Sequence, residues 1–325
     1  MLLAFAFPAC SLEGLAGGRV DGGGVTDGST VDGGVPTPGS DAAVGDGGPG
    51  CPGCEVLLAN EEQPTELAQG GDRLHWIRRG PAGHVVSSEL DGRNIEFDGD
   101  VSIDEGHDLV AFEIEAFALD ASGRLSRYLS ASTCTDAGGV VRLARFGGEM
   151  LIAKTNALFR GDCGERTLLA SIPAVIAVAG DPPYAWFARS DGTIERCDAS
   201  GSACESSRGV LASGQGRVTQ LAHDDARVVW ATEQGEVRSR AKTAIGATGD
   251  ADVLASGVNV KALASFGGDV YFTDVEGGTI RRVPAGSTTP IVFASGLARP
   301  WGLLVTPPYV YVAESGAGRI LRMPR

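Results

Sequence analysis

The chain has 325 residues, a net charge of −14 and a pI near 4.7. An acidic surface repels the phosphates of nucleic acids and the headgroups of anionic lipids, so we expect neither to bind it directly. Hydrophobic residues make up 43% of the sequence, which is enough for a large core. The 48 glycines and the 6% aromatic content indicate many short strands and tight turns beside a low-complexity segment.

The first ten residues read MLLAFAFPAC, a short apolar run that ends in a cysteine. This run resembles the end of a bacterial lipoprotein signal peptide, whose hydrophobic region stops at a lipobox. The resemblance implies that residues 7–10 are the lipobox and that Cys10 carries the lipid. No Lys or Arg precedes the run, and the run is short for a signal peptide. An ordinary secretory signal and a buried N-terminal strand are the alternatives.

Residues 11–50 are rich in Gly, Asp and Ser and contain no aromatic residue. Such a segment cannot bury enough apolar surface to offset the entropy of ordering, so we predict a disordered tether. Forty flexible residues span on the order of 35 Å. The sequence therefore predicts a signal segment at 1–10, a tether at 11–50 and a folded domain at 51–325, anchored to the cell envelope only through the lipid on Cys10.

The cysteine count fits an oxidising compartment, because six cysteines remain once Cys10 is assigned to lipidation. Cys197 and Cys204 flank a short loop, and we predict a disulfide that closes a hairpin there.

The CPGC stretch from Cys51 to Cys54 is also the spacing of a redox or zinc half-site. A zinc site needs a second such pair and a redox site needs a βαβ context, and the sequence offers neither. We therefore favour a structural disulfide between Cys51 and Cys54. A bond between Cys134 and Cys163 follows by elimination.

A pattern of short alternating strands recurs about every 40 residues. Four copies end in a small-residue cap, as in LLAS at 168–171, VLASG at 210–214 and 253–257, and VFASG at 292–296. Seven segments read as the second strand of the repeat, and they start at Leu74, Leu109, Met150, Tyr184, Val228, Val270 and Val310. Four short strands in this period predict an all-β fold, a β-propeller with seven blades, or six if the second copy is misread.

The last repeat stops after three strands, and a segment before the first repeat supplies the fourth. VLLAN at 56–60 has the pattern of the VLASG caps. An open blade would leave unpaired strand edges. We therefore predict that residues 55–62 add the outer strand to the blade built from residues 297–325.

The repeats resemble the NHL and YWTD classes of propeller repeat. The resemblance is clearest in GGDVYFTDVEGGTIRRV and RPWGLLVTPPYVYVAESGAGRILRM. It covers about 270 residues and is specific in the last four blades. It implies six or seven blades around a central channel.

Ligands of propellers usually bind on the face formed by the loops that enter the inner strands and the loops that join strands two and three. The alternative for each polar residue in these loops is a solvated collar. The candidates on this face are Arg78, Arg79, Lys154, Arg189, Asp191, Glu233, Asn259, Asp274, Glu276, Arg299, Trp301 and Glu314.

Three groups of propeller enzymes look similar at this level: metal-dependent lactonases, streptogramin B lyase and quinone-dependent sugar dehydrogenases. The lactonases hold a cation with Glu, Asn and Asp, and Asn259 lies near the expected Asn, but the surrounding motifs are absent. The lyase needs a catalytic His, and no His here stands in a recognisable motif. We therefore predict a monomeric, non-catalytic propeller that binds a protein or small molecule without cofactor or metal. A hydrolase or lyase of the metal-dependent lactonase type is the alternative.

Overall fold

A computed structural model describes residues 51–325 except 81–82, 102–107, 114, 121, 129–134, 137 and 202. Within this part of the chain, 28 strands form seven antiparallel sheets of four strands each. None of these residues lies in a helix, so none forms a helix long and apolar enough to cross a bilayer. The predicted lipobox, Cys10 and the tether lie outside the described residues.

The first three blades follow one another in chain order. Blade 1 contains β2 (Pro64–Gly70), β3 (Arg73–Arg78), β4 (Gly83–Glu89) and β5 (Glu96–Val101). Blade 2 contains β6 (Asp108–Ala111), β7 (Ala116–Leu119), β8 (Leu125–Tyr128) and β9 (Thr135–Asp136). Blade 3 contains β10 (Val140–Phe146), β11 (Glu149–Lys154), β12 (Ala157–Gly161) and β13 (Arg166–Ala170).

The next three blades repeat this plan. Blade 4 contains β14 (Val175–Asp181), β15 (Tyr184–Arg189), β16 (Ile194–Asp198) and β17 (Gly209–Ala212). Blade 5 contains β18 (Val218–His223), β19 (Arg227–Thr232), β20 (Val237–Ala241) and β21 (Asp252–Ala255). Blade 6 contains β22 (Leu263–Phe266), β23 (Asp269–Asp274), β24 (Thr279–Val283) and β25 (Ile291–Ala294).

Blade 7 joins the two ends of the described chain. It contains β26 (Pro300–Val305), β27 (Tyr309–Glu314), β28 (Arg319–Pro324) and, as its outer strand, β1 (Glu55–Ala59). Strand β1 pairs antiparallel with β28, with Val56 opposite Leu321. The predicted closure of the ring and the count of seven blades are confirmed, although the closing strand ends at Ala59 rather than at residue 62.

The first strand of each blade lies at the centre of the ring. Each contacts the first strand of the next blade, and β26 contacts β2 to complete the circle. Neighbouring blades then pack through their second strands, whose sequences are almost continuously apolar because both faces are covered. The largest fully buried side chains include aromatic residues at the third or fourth position of these strands: Trp76, Trp186, Trp230, Tyr271 and Tyr311.

The prediction for blade 2 was wrong by one strand. Leu109 lies in β6, which is the inner strand, and the second strand is β7. Both strands are apolar and only a short turn separates them, so the hydrophobic pattern does not distinguish their order. The other six predicted second strands are confirmed as β3, β11, β15, β19, β23 and β27.

Two predicted disulfides are confirmed. Cys197 and Cys204 are bonded and fully buried. Cys51 and Cys54 are bonded and pack against blade 7, where Met323 lies beside Cys54. Cys163 is also disulfide-bonded, but Cys134 lies outside the described residues.

Candidate ligand-binding cavity

Several inner strands begin with a shift in register that turns side chains toward the channel. The shift falls between Pro64 and Leu67 in β2, between Val218 and Gln220 in β18, and between Pro300 and Gly302 in β26. Such bulges re-aim side chains and are common beside binding sites. The residues within the three shifts include Glu66, Thr219 and Trp301, and all three line one cavity.

This cavity has a volume of about 780 Å³ and opens on the face predicted to bind ligands. The loop that joins β19 to β20 and the loop that leads into β22 form much of its wall. Its lining is mostly polar, and one aromatic ring belongs to it. Its lining includes the side chains of Glu66, Arg79, Arg142, Gln220, Glu233, Asn259, Lys261, Glu276 and Trp301.

Trp301 is half-buried and carries cations around its ring. The guanidinium carbon of Arg79 lies 4.5 Å from the ring centroid, the Lys261 Nζ 5.1 Å and the guanidinium carbon of Arg299 5.9 Å. These distances fall within the range of cation–π attraction, which favours Trp over the other aromatic residues. The ring therefore concentrates positive charge at the cavity wall.

Three cations of the cavity have no ionic partner within the described part of the chain. Among the described residues, none forms an ion pair with Arg79, Arg142 or Lys261. The Arg79 Nε is buried without a hydrogen-bond partner there, and Arg142 donates only to the carbonyl of Val141, at 3.1 Å. The neighbouring Arg78, by contrast, is paired with Glu61 at 2.7 Å. The cavity thus holds cations with unused hydrogen-bonding capacity.

The backbone around Lys261 is fixed by its neighbours. The N–H groups of Lys261 and Ala262 donate to the Thr273 hydroxyl at 3.1 and 3.0 Å. The Gln220 side chain donates to the Lys261 carbonyl at 2.8 Å. Blades 5 and 6 therefore position this lysine together.

Two carboxylic acids lie deeper in the channel, on neighbouring inner strands. Burial raises the pKa of Glu66 to about 8, and the negative charge of Asp108 adds to this effect. Arg142, Arg79 and Lys261 act in the opposite direction. Burial also raises the pKa of Asp108 to about 6, against Arg142 and a 2.7 Å hydrogen bond from the Leu143 N–H. At neutral pH Glu66 is therefore mostly protonated and Asp108 mostly ionised.

The structure brings five of the sequence candidates to the cavity: Arg79, Glu233, Asn259, Glu276 and Trp301. Asn259 Nδ2 donates to Glu276 Oε1 at 3.1 Å, so these two form part of an exposed rim.

Arg299 reaches this group through its stacking on Trp301. Its φ of 56° lies in the left-handed region. Gln63 and Ala174, which precede β2 and β14, also have positive φ values of 40° and 60°. This conformation therefore belongs to the blade turn rather than to the site.

Two other candidates, Asp274 and Glu314, are buried at the ends of their second strands and serve the blade turns. The Asp274 carboxylate accepts hydrogen bonds from Arg281, at 2.9 Å, and from the Gly277 N–H, at 3.2 Å. Glu314 accepts hydrogen bonds from Arg319 and from the Ala298 N–H. Neither carboxylate lines the cavity.

The remaining candidates bond within their own blades or to the loop beside them. Arg189 lies 3.3 Å from Asp191 and 3.5 Å from Glu195, both in blade 4. Lys154 donates to the Gly138 carbonyl at 3.3 Å. A ligand role for these residues stays a prediction.

Sequence reasoning missed Glu66, Asp108, Arg142, Gln220 and Lys261. All lie in or next to an inner strand, whereas the sequence pattern predicted ligand-binding residues in the loops. A charged or amide residue near the start of a first strand was the available signal, because all first strands converge on the channel.

A second cavity of about 330 Å³ continues the channel past Arg142 and Gln220. His223 lines it, with its Nε2 2.8 Å from the Gly180 carbonyl and its Nδ1 3.3 Å from Lys242 Nζ. No group of three or more His, Cys, Asp or Glu within the described ranges could hold a metal ion. His107 lies outside the described residues.

These features define the class of protein as a seven-bladed β-propeller with a polar central cavity. No protein-family model matches the chain, and no curated protein matches it. It is similar in fold to virginiamycin B lyase from Staphylococcus aureus, with 14% identity, a TM-score of 0.61, and coverage of 84% of this chain and 98% of the lyase.

Two further solved structures share the architecture. BamB from Moraxella catarrhalis is 11% identical, with a TM-score of 0.57 over 85% of this chain and 92% of BamB. A chain of the mitotic checkpoint complex is 12% identical, with a TM-score of 0.62 over 85% of this chain and 90% of that one. One neighbour is a lyase and another is part of an assembly, so the fold alone does not assign a function.

Proposed function

We propose that this protein is a non-catalytic binding propeller and that its ligand is a small molecule held in the central cavity. The observation that best supports this proposal is the cavity itself, because its volume is in the range of pockets that enclose small ligands. It combines one accessible aromatic ring with unpaired cations and amide groups, which are the elements of orientation and specificity. A protein partner that inserts a side chain into the same cavity is the broader form of this proposal.

The proposal includes the location predicted from the sequence. A lipid on Cys10 would hold the protein at the cell envelope, and the tether at 11–50 would carry the propeller away from the bilayer. The disulfides Cys51–Cys54 and Cys197–Cys204 support an oxidising compartment. We also propose that the blades are related to the NHL and YWTD classes of propeller repeat.

A hydrolase or lyase is the second candidate, and the pair Glu66 and Asp108 favours it. Two acids with different pKa values in one channel could act as general acid and general base. A metal-dependent lactonase would lose activity with a chelator and regain it with calcium, whereas a binding protein would be indifferent. Saturable turnover of a lactone panel that Glu66→Gln abolishes would favour the enzyme.

Trp301 makes the binding proposal testable by fluorescence. Trp76, Trp186 and Trp230 are fully buried, so Trp301 is the tryptophan that a cavity ligand can reach. We would screen the full chain against a panel of neutral, anionic and cationic small molecules, with ligand-observed NMR and Trp emission as readouts. We expect saturable binders that shift the emission, and loss of the shift in Trp301→Phe. A panel without any such compound would contradict a small-molecule site.

A further inference from the structure

The cations of the cavity indicate the chemistry of its ligand. We propose, on the basis of the function proposed above, that the cavity binds a small organic anion whose carboxylate, sulfate or phosphate group lies against Arg79, Arg142 and Lys261 while its apolar part packs on Trp301. The three cations come from blade 1, blade 3 and the loop into blade 6, so a single anionic group can bridge widely separated parts of the ring.

The cations of the cavity are opposite in sign to the net charge of the protein. The chain carries a net charge of −14, yet three cations face the cavity without an ion pair among the described residues. Leaving a buried donor such as the Arg79 Nε unsatisfied costs free energy. An anionic group in the cavity would accept charge-assisted hydrogen bonds from the guanidinium and ammonium groups that line it, and such bonds are stronger than neutral ones.

The protonation state of Glu66 sets the net charge of the side chains that line the cavity. The charged groups that face it are Asp108 on β6, Arg142 on β10, Arg79 after β3 and Lys261 before β22. With its proton, Glu66 leaves the cations available to a ligand. Without it, Glu66 becomes an internal anion that neutralises them and repels the ligand, so binding should weaken as pH rises through about 8.

The rim of the cavity limits the size of the anion. Glu233 and Glu276 are exposed at the mouth and are both acidic. Their charge disfavours a polyanion that would extend across the mouth, such as a nucleic acid. A compact anion that passes the rim meets the three cations, Glu66, Trp301 and the uncharged side chains of Thr219 and Gln220.

Calorimetry with three probes tests the proposal on the full chain. Benzoate has a charge and a ring, sulfate has a charge alone, and benzamide has a ring alone, and the two anions stay ionised between pH 6 and 9. At constant ionic strength, we expect benzoate to bind more tightly than sulfate and benzamide. Arg79→Gln or Lys261→Gln should weaken benzoate binding about tenfold, as expected for one lost charge-assisted hydrogen bond.

Arg196→Gln is the matched control. Arg196 also stacks on an aromatic ring, at 4.2 Å from the Tyr184 centroid, and forms no ion pair with a described residue, but it lies outside the cavity. We expect this variant to bind benzoate as the wild type does. An equal loss in Arg196→Gln and Arg79→Gln would overturn the assignment of the site.

A pH series separates the role of Glu66. If only the protonated form binds, benzoate affinity should fall about tenfold between pH 7 and 9. Glu66→Gln should bind benzoate at both pH values and show no such fall. A wild-type affinity that is independent of pH, or a variant with the same fall, would overturn the role of Glu66.

The probes also separate this inference from the function on which it rests. If benzamide shifts the Trp301 emission and binds as tightly as benzoate, the cavity binds ligands but the anion assignment is wrong. If neither these probes nor any member of the wider panel binds, both proposals fail together.

Discussion

The Glu55 carboxylate accepts two hydrogen bonds from the Arg322 guanidinium, at 2.6 and 3.0 Å, across 267 residues of sequence. This contact is the charged part of the seam that closes the ring. Its apolar part comes from the same strand, β1, where Leu57 and Leu58 are buried. The seam therefore holds the first described strand to the last blade.

Two truncations test the energetic weight of this seam. Removing residues 1–50 leaves β1 in place, so we expect a melting temperature close to that of the full chain. Removing residues 1–62 deletes β1, and burial of Leu57 and Leu58 is worth roughly 1.5–3 kcal/mol each. Against a typical total of 5–15 kcal/mol, this loss should lower the melting temperature strongly or cause aggregation.

Glu55→Gln in the full chain is the milder control, because it removes the ion pair and keeps the strand. We expect it to cost less than 1 kcal/mol, since the Glu55 carboxylate is partly exposed. Equal melting curves for the two truncations would contradict the role of β1 in closure.

The ring could be predicted from the sequence because its period, its capped outer strands and its incomplete last copy all repeat visibly. In blade 2, however, the hydrophobic pattern is not sufficient to assign the strands. The residues after Leu109 form two consecutive apolar strands, and hydrophobic alternation does not say which of them faces the channel. In the sheet, β6 pairs with β7 on one side and with no described strand on the other, and this places β6 at the inner end of the blade.

The candidate site was predictable only in part, for a geometric reason. Trp301 and Asn259 stand beside turn signals, so their face could be inferred. Glu66 lies within the register shift at the start of β2, and Lys261 lies in the loop before β22, where its N–H donates to the Thr273 hydroxyl. Asp274 carries the same kind of side chain but is satisfied by Arg281, a pairing that sequence spacing does not reveal.

Glu66 should make the stability of the protein fall as pH rises. Its pKa of about 8 in the folded state exceeds the ordinary value of 4.5, so the folded state keeps a proton that the unfolded chain has released. This contribution is fully present below pH 4.5 and is lost as pH rises through 8. We expect a loss of roughly 1–2 kcal/mol in the free energy of unfolding between pH 6.5 and 9, allowing for water in the cavity.

Urea unfolding of the wild type and of Glu66→Gln at both pH values measures this effect. The chosen window lies above the pKa of Asp108, about 6, so that acid contributes little to the difference. The variant should lose less stability than the wild type over the window. Parallel losses in the two proteins would contradict the assigned pKa of Glu66.

The cations around Trp301 should select the charge of a collisional quencher. At low ionic strength, we expect iodide to quench the tryptophan emission about two- to threefold more efficiently than caesium, because the local potential attracts anions. The double variant Arg79→Gln, Lys261→Gln should bring the two quenchers closer together. Trp301→Phe should leave emission that neither ion quenches, since the other three tryptophans are fully buried. Stronger quenching by caesium would refute a positive cavity.

Lipidation can be tested on the full chain expressed in a bacterial host. We expect the protein to enter the detergent phase of a phase-separating extraction and to carry acyl chains at Cys10 in its intact mass. Cys10→Ala should move to the aqueous phase, because it lacks the acyl chains and the chain carries a net charge of −14. An unmodified wild-type mass together with aqueous partitioning would end the lipoprotein proposal.

The central claim is that the cavity is the binding site, and blocking it is the most direct test. Gln220 and Thr219 line the channel wall, so Gln220→Trp or Thr219→Phe should fill the space that a ligand needs. We would titrate the tightest compound of the small-molecule panel into the wild type and into whichever variant keeps the wild-type melting temperature. We expect one site per chain in the wild type and affinity at least about tenfold weaker in the filled variant. Equal affinity in the two proteins would place the ligand elsewhere and contradict binding in the central cavity.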